Sequence, residues 1–322
     1  MRKQKIWLSA IILTTILSIM VVGCSNTTNE ATPANEGSKT RTIEHAMGKT
    51  EVPENPQKIV VLTNEGLEAV LSMGVTPVGA VESFSGKTWY PHLEDKLGDT
   101  KPVGIEMQPN LETIATLKPD LIIGNKVRQE KVYEQLSAIA PTVFAESLGG
   151  DWKNNFQLYA QALNKEEEGK KVLAEYDEKI KATKENAGDL LNEKVSVVRF
   201  LPGTMRIYQS ASFSGVLLKD LGFARPENQQ KEDLAVEVTH EQIPQMDGDI
   251  LFYFTYSPKA GETGDQTEKE ITSNPLWKNL NAVKNEKAFR VDDVIWNTAG
   301  GVLAAQIMLE DLNKTITELK SK

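Results

Sequence analysis

The chain has 322 residues, 40% hydrophobic and 25% charged, which is enough apolar material for a packed core and a length that suggests two domains. Its formal charge of −9 disfavours binding to phosphate backbones, and so to nucleic acid. A single Cys excludes an intrachain disulfide and a Cys-ligated cluster, and three scattered His (His45, His92 and His240) argue against a His-built metal site.

Arg2, Lys3 and Lys5 precede an uncharged stretch from Ile6 to Gly23, the two parts of an export signal. By length alone the stretch could cross a membrane. It ends, however, in Val21-Val22-Gly23-Cys24, and Cys24 is the only Cys in the chain. That ending resembles a lipobox, in which Cys24 is diacylated and becomes the first residue of the mature protein. Removing residues 1–23 takes away three basic and no acidic residues, which leaves a charge of −12. Residues 25–41, SNTTNEATPANEGSKTR, are polar and low in complexity. Segment 24–41 therefore reads as a flexible tether between a lipid and a folded body outside the cell.

The first half of that body alternates strand and helix. Lys58–Leu62 is a short apolar run, Glu65–Met73 is helical and stopped by Gly74, and Val75–Val81 is a second strand. Pro119 and Asp120 introduce a third at Leu121–Gly124; Gln129–Ala140 is helical, and Pro141 ends it before Thr142–Phe144. This alternation predicts a parallel sheet. From Asp151 to Leu191 there is no strand signal. Trp152, Phe156, Tyr159 and Leu163 recur at helical spacing, and Asn164 with Glu167 reads as the cap of a second helix carrying Val172, Tyr176 and Ile180. That helix, of ~25 residues and near 40 Å, can act as a rigid connector. Alternation then resumes: strands at 194–200 and 206–208, a helix at Ser214–Leu221 stopped by Gly222, strands at 249–254 and 287–291, and a closing helix at Val302–Leu319. The fold expected is α/β. Two Rossmann-like lobes, 42–160 and 193–322, are joined by a single long helix within 161–192, with a ligand cleft between them.

A weak internal repeat supports like-built lobes. Asn110-Leu-Glu-Thr-Ile114 precedes Asp120-Leu-Ile-Ile123, and Thr239-His-Glu-Gln-Ile243 precedes Asp249-Ile-Leu-Phe252; Glu112 and Glu241 each lie eight residues before the Asp. Each unit reads as a short capped helix with an outward Glu and an inward Ile, feeding a buried strand. On its own, such a first-turn Glu is placed by the helix dipole.

Two lobes, a helical connector, a lipid tether and no enzyme motif describe a solute-binding protein. The sequence resembles the iron-siderophore and cobalamin family of substrate-binding lipoproteins of ABC importers, over about residues 41–320. The resemblance is carried by Val52-Pro-Glu-Asn-Pro-Gln-Lys-Ile-Val-Val61, Leu71-Ser-Met-Gly-Val-Thr-Pro-Val-Gly79, Leu117-Lys-Pro-Asp-Leu-Ile-Ile-Gly124 and Phe213-Ser-Gly-Val-Leu-Leu-Lys-Asp-Leu-Gly222. Within that family it looks most like the Gram-positive binders of hydroxamate or citrate–hydroxamate siderophores. The resemblance implies a ferric chelate between the lobes, modest closure about the connecting helix, and an ABC permease with its ATPase as partner. It also implies docking on the permease through one acidic residue per lobe, at Glu112 and Glu241.

A siderophore satisfies its iron with its own oxygens, so no protein metal ligand and no cofactor is expected. An anionic chelate calls for fixed cations and aromatic walls. In an open α/β lobe these belong beyond the carboxyl ends of the strands. Arg199, Arg206 and Tyr208 lie in a segment that resembles the family's C-lobe binding segment. Trp89, Lys126 and Arg128 follow strands of the first lobe. Trp296 stands before the last helix, with Tyr253 and Tyr256 at a strand end. The chain contains no G-x-S-x-G, P-loop, H-E-x-x-H or G-x-G-x-x-G sequence, which argues against an enzyme. The same fold binding heme or cobalamin, and a tethered surface protein with no transport role, remain open.

Overall fold

The computed structural model describes residues 39–257 and 263–321. The expected signal, Cys24 and the tether up to residue 38 lie outside these residues. The folded body begins in a hairpin, β1 (Thr40–His45) with β2 (Gly48–Pro53), so Thr40 and Arg41 belong to a strand. Arg41 donates to the carbonyl oxygens of Gln161 and Ala162, at 2.8 and 3.3 Å. The hairpin buries only Ile43 and Val52 among its apolar side chains, too few to give a readable strand pattern.

The first lobe is a parallel sheet of order β5-β4-β3-β8-β9. Its strands are β3 (Ile59–Val61), β4 (Gly79–Ala80), β5 (Lys101–Pro102), β8 (Leu121–Asn125) and β9 (Thr142–Ala145). A small hairpin, β6 (Gly104–Ile105) and β7 (Gln108–Pro109), stands apart from the sheet. The strand expected at Val75–Val81 shrinks to β4, for Pro77 has no N–H to give a ladder. The helix expected at Gln129–Ala140 is broken into Lys126–Gln129, a 3-10 turn at Glu130–Val132, and Tyr133–Ser137. Of 129–137 only Gln129 and Leu136 are buried, so no continuous apolar face holds one straight helix.

The second lobe has the order β12-β11-β10-β13-β14. Strands β10 (Val195–Leu201), β13 (Ile250–Thr255) and β14 (Ala288–Arg290) are parallel, while β11 (Thr204–Tyr208) and β12 (Ala235–Val238) run antiparallel to their neighbours. Pro202-Gly203 makes the β10–β11 turn, and Gly203 takes φ +71° there, a value a side chain would oppose.

Seven longer helices matter below: α1 (Asn64–Ser72), α2 (Leu111–Leu117), α3 (Trp152–Leu163), α4 (Glu166–Ala187), α5 (Phe213–Leu221), α6 (Thr263–Ser273) and α7 (Val302–Ser321). The 22-residue α4 is the connecting helix, about 33 Å long. Asn164 does not start it. Asn164 ends α3 in the left-handed conformation, φ +57°, and α4 opens without a side-chain cap, with Glu166, Glu167 and Glu168 on its positive end.

One apolar core runs from Val61 and Leu67 through Trp152, Phe156 and Tyr176 to Val197, Phe252 and Leu309, so the lobes share it. Two smaller cores cover the outer faces of the sheets, around Ile122 and Phe144 and around Phe200 and Trp277. A fully buried carboxylate reinforces the seam: Glu68 of α1 is hydrogen-bonded to His92 Nε2 at 2.6 Å, and its Oε2 accepts from the Ala304 N–H of α7 at 2.9 Å. Gly301 allows this approach. A Cβ there would lie 2.7 Å from Glu68 Cβ and 3.0 Å from the Glu65 carbonyl oxygen. We expect Gly301→Ala to lower stability by about 1–3 kcal/mol, read as a lower urea midpoint with unchanged far-UV circular dichroism.

Candidate ligand-binding cleft

A cleft of about 820 Å³ opens between the lobes, at the carboxyl ends of strands from both sheets. On the first lobe it meets Glu65 at the start of α1, Phe84 after β4, Glu106 and Met107 in the β6–β7 turn, Val127 and Arg128 after β8, and residues 147–151 after β9. On the second lobe it meets Arg199, Leu201, Arg206 and Tyr208 of the β10–β11 hairpin, Leu234, Tyr256 after β13, and residues 297–300 before α7.

The antiparallel register sets Arg199 directly opposite Arg206. Like charges in that position repel, and each is relieved by its own carboxylate. Arg206 is paired across the sheet with Glu237 and donates to its Oε1 at 2.7 Å. Arg199 makes a bidentate pair with Asp293, at 2.6 and 2.9 Å, donates to Tyr208 Oη at 3.2 Å and lies over the Tyr256 ring at 5.0 Å. Burial works against the Arg199 charge, but Asp293 and Tyr208 together more than restore it and hold the guanidinium above its ordinary range. On the facing lobe Arg128 donates to Glu106 Oε2 at 3.2 Å. Burial raises the Glu106 carboxyl, although the Asn64 N–H and side-chain amide, at 2.7 and 2.9 Å, and Arg128 oppose the rise.

Four expected site residues, Arg199, Arg206, Tyr208 and Arg128, are thus brought together. Three are not. Trp296 is fully buried, its ring 4.5 Å from Phe252, within a π-helical turn at Val294–Thr298; its neighbours from Asn297 to Gly300 face the cleft instead. Trp89 packs half-buried on the shared core, and Phe84 of the same loop lines the cleft. Lys126 binds Glu146 at 2.8 Å, outside the lining. Asn125 caps that helical turn through the Val127 N–H, which turns positions 127 and 128 toward the cleft and 126 away. Tyr253, on the opposite sheet face from Tyr256's neighbours, stacks edgewise on Trp277.

Sequence reasoning missed Met107, Val127 and Leu234. They are 53%, 66% and 51% exposed, three of the five exposed large apolar side chains among the described residues, and all line the cleft. The available signal was a large apolar residue in a strand-end loop among charges, where no core can use it. Glu65 was missed too. It is 5% exposed, and its carboxyl is raised well above the ordinary range by burial, opposed by the Asn155 amide and reinforced by Glu106, Glu68 and Asp151.

Outside the cleft, Glu112 and Glu241 occupy matching settings. Glu112 is exposed in the first turn of α2, capped by Asn110, above the buried Ile114. Glu241 is exposed in the 3-10 turn His240–Met246, capped by Thr239, above the buried Ile243. The Thr239 hydroxyl donates to Glu241 at 2.7 Å and holds that carboxyl below its ordinary range. Among the described residues no group of three or more His, Cys, Asp or Glu could hold a metal ion, and no helix is long and apolar enough to cross a membrane.

A carboxyl whose pKa rises on folding binds a proton that the unfolded chain has released, so its contribution to stability falls as pH rises above 4.5. Glu65→Gln carries no such loss. Denaturant unfolding should therefore show the variant gaining on the wild type as pH rises from 4.5 through neutrality, with the gain absent below 4.5.

The chain matches the periplasmic binding protein family over residues 59–294. It is 50% identical to the "Probable siderophore-binding lipoprotein YfiY" of Bacillus subtilis (strain 168), across 95% of this chain and 97% of that protein. It is 34% identical to the Fe(3+)-citrate-binding protein YfmC of the same organism, across 98% of this chain and 99% of that one. The crystal structure of Staphylococcus aureus SirA complexed with staphyloferrin B superposes with a TM-score of 0.81 at 40% identity, covering 86% of this chain and 99% of that one. With its two lobes, its shared core and the cleft between them, the chain belongs to the periplasmic binding protein family.

Proposed function

We propose that this protein captures a ferric siderophore of the hydroxamate or citrate–hydroxamate class in the cleft and delivers it to an ABC permease. The observation that carries the reading is the convergence of Arg128, Arg199 and Arg206 with Met107, Val127 and Leu234 on one cleft. Arginine forks suit the carboxylate and hydroxamate oxygens of a ferric chelate. The apolar side chains suit the methylene arms that join its chelating groups. The names of the relatives support a ferric siderophore or ferric citrate as the kind of ligand.

Around the cleft the rest follows the sequence. Residues 1–23 direct export, Cys24 carries the lipid on the outer face of the cell membrane, and the residues between it and β1, which begins at Thr40, tether the body. The lobes take 42–160 and 193–322, and 161–192 connect them. Glu112 and Glu241 give one carboxylate per lobe, a two-point register on a pair of permease subunits.

Isothermal titration of the folded body with ferric citrate–dihydroxamate, ferric trihydroxamate, ferric citrate, heme and cobalamin tests the ligand. Arg206 is the informative position: its side chain is 34% exposed and its partner Glu237 61%, so Arg206→Ala spares the fold. Arg199→Ala would leave the buried Asp293 unpaired and confuse binding with stability. We expect sub-micromolar binding of a hydroxamate-bearing chelate, weakened about tenfold or more by Arg206→Ala. Leu234→Ser should weaken chelates with hydrocarbon arms and leave ferric citrate unchanged. Binding of heme or cobalamin alone would keep the family and replace the ligand.

A further inference from the structure

We infer that Gly150 sets the width of the cleft, and through it the bulk of the chelate that the protein accepts. The inference rests on the reading of the cleft as a siderophore site and adds a residue that selects by spacing rather than by contact. Gly150 lies in the turn between β9 and α3, on the first lobe, and lines the cleft together with Ala211 of the second lobe. The two lobes meet backbone to backbone there. A Cβ on Gly150 would stand 2.7 Å from the Ala211 carbonyl oxygen, 3.4 Å from its carbonyl carbon and 3.2 Å from Val216 Cγ2 of α5. Any residue but glycine would hold the walls further apart.

Neither side of this contact is free to give way. On the first lobe the Ser147 carbonyl oxygen accepts from the side-chain amides of Asn125 and Asn155, at 2.6 and 2.7 Å, and both asparagines are buried. The Ser147 hydroxyl donates to Asp151 across the turn, and Gly149 passes through φ +77° to bring Gly150 against Ala211. On the second lobe the Ala211 N–H donates to the Asp233 carbonyl oxygen at 3.2 Å, and the Gln209 N–H to that of Leu234 at 3.0 Å. The buried Ser212 hydroxyl donates to the Gln209 carbonyl oxygen at 2.7 Å and accepts from the Gly215 N–H at 3.0 Å. A carbonyl held in this way cannot swing aside as the end of a flexible side chain would. The same bonds join Ala211 to the cleft wall, for Tyr208 adjoins Gln209 and Leu234 adjoins Asp233. Displacing Ala211 therefore carries that wall away from Met107, Val127 and Arg128 of the facing lobe. A chelate that touches both walls then loses contact on one of them, and a gap of roughly 0.5–1 Å already forfeits about a quarter to a half of the dispersion well.

The test compares Gly150→Ala with the wild type by isothermal titration of the full-length protein, using ferric citrate–dihydroxamate and a bulkier ferric trihydroxamate. The quantity read is the ratio of the two affinities, taken on the active fraction that the stoichiometry reports, so that a loss of stability does not enter it. We expect the ratio to shift toward the bulkier chelate by about fivefold or more. Val216→Ala shortens a side chain of the same contact without pushing on Ala211 and should leave the ratio unchanged. Gly150→Ala/Val216→Ala relieves the lesser contact and keeps the greater, and carries the test if the single variant does not fold. A crystal structure of the variant should show Arg128 and Arg206 further apart than in the wild type. An unchanged ratio, or an equal loss for both chelates, overturns the inference while leaving the siderophore reading intact. A shift in Val216→Ala as large as in Gly150→Ala also overturns it, for packing and not spacing would then be the cause. Wild-type protein that binds neither chelate fails the siderophore reading itself, and the inference with it.

Discussion

The apolar core that passes beneath the cleft is the constraint on which the rest of this molecule depends. Two sheets with separate outer cores would hang from α4 as independent bodies. Here Trp152, Tyr176 and Phe252 pack in one cluster with both sheets, and Glu68 ties α1 to the first turn of α7. The cleft is therefore a groove in a continuous solid with a fixed floor, and side chains from distant parts of the sequence keep their spacing across it. Loops at the carboxyl ends of the strands can differ in chemistry without disturbing that floor.

Electrostatically the cleft is built from compensated charges. Arg128, Arg199 and Arg206 each lie beside a carboxylate, and two of them stand opposite one another on adjacent strands. The differences among the pairs matter. Arg199 and Asp293 are both buried, and Tyr208 and Tyr256 complete the guanidinium's surroundings, so this pair is part of the fold. Arg206 and Glu237 are solvated and can part at little cost. The C-lobe wall thus joins one rigid cation to one adaptable cation.

Much of this was legible in the sequence. Apolar runs ended by Gly or Pro located most strands of both sheets, and the spacing of Trp152, Phe156 and Tyr159 located α3. The duplicated Asn110 and Thr239 units appear with the same cap and the same buried Ile. What sequence pattern could not give was direction within a turn. Lys126 and Arg128 are two residues apart, yet one faces Glu146 and the other the cleft, because a helical turn rotates each side chain by about 100°. Trp296 looked like a wall because it is aromatic and near a loop; it is core because a π-helical turn presents Asn297 in its place. The hairpin of β1 and β2 escaped notice for want of apolar residues. Glu65 escaped because its character comes first from burial and then from Glu106 and Asp151, which no linear spacing brings to it; only Glu68, three residues on in the same helix, was visible in the sequence.

The compensated arginines have a consequence for life in a medium crowded with simple salts. A bare cation in a cleft would be occupied for much of the time by whichever small anion is most abundant. Here an intruding chloride or phosphate must outcompete a carboxylate already seated at each guanidinium, and it offers nothing to Met107, Val127 or Leu234. A large chelate can present several oxygens and its hydrocarbon surface at once, and so can displace or share those partners together. The internal carboxylates act as place-holders that keep the cleft from common solutes and leave it open to a scarce one.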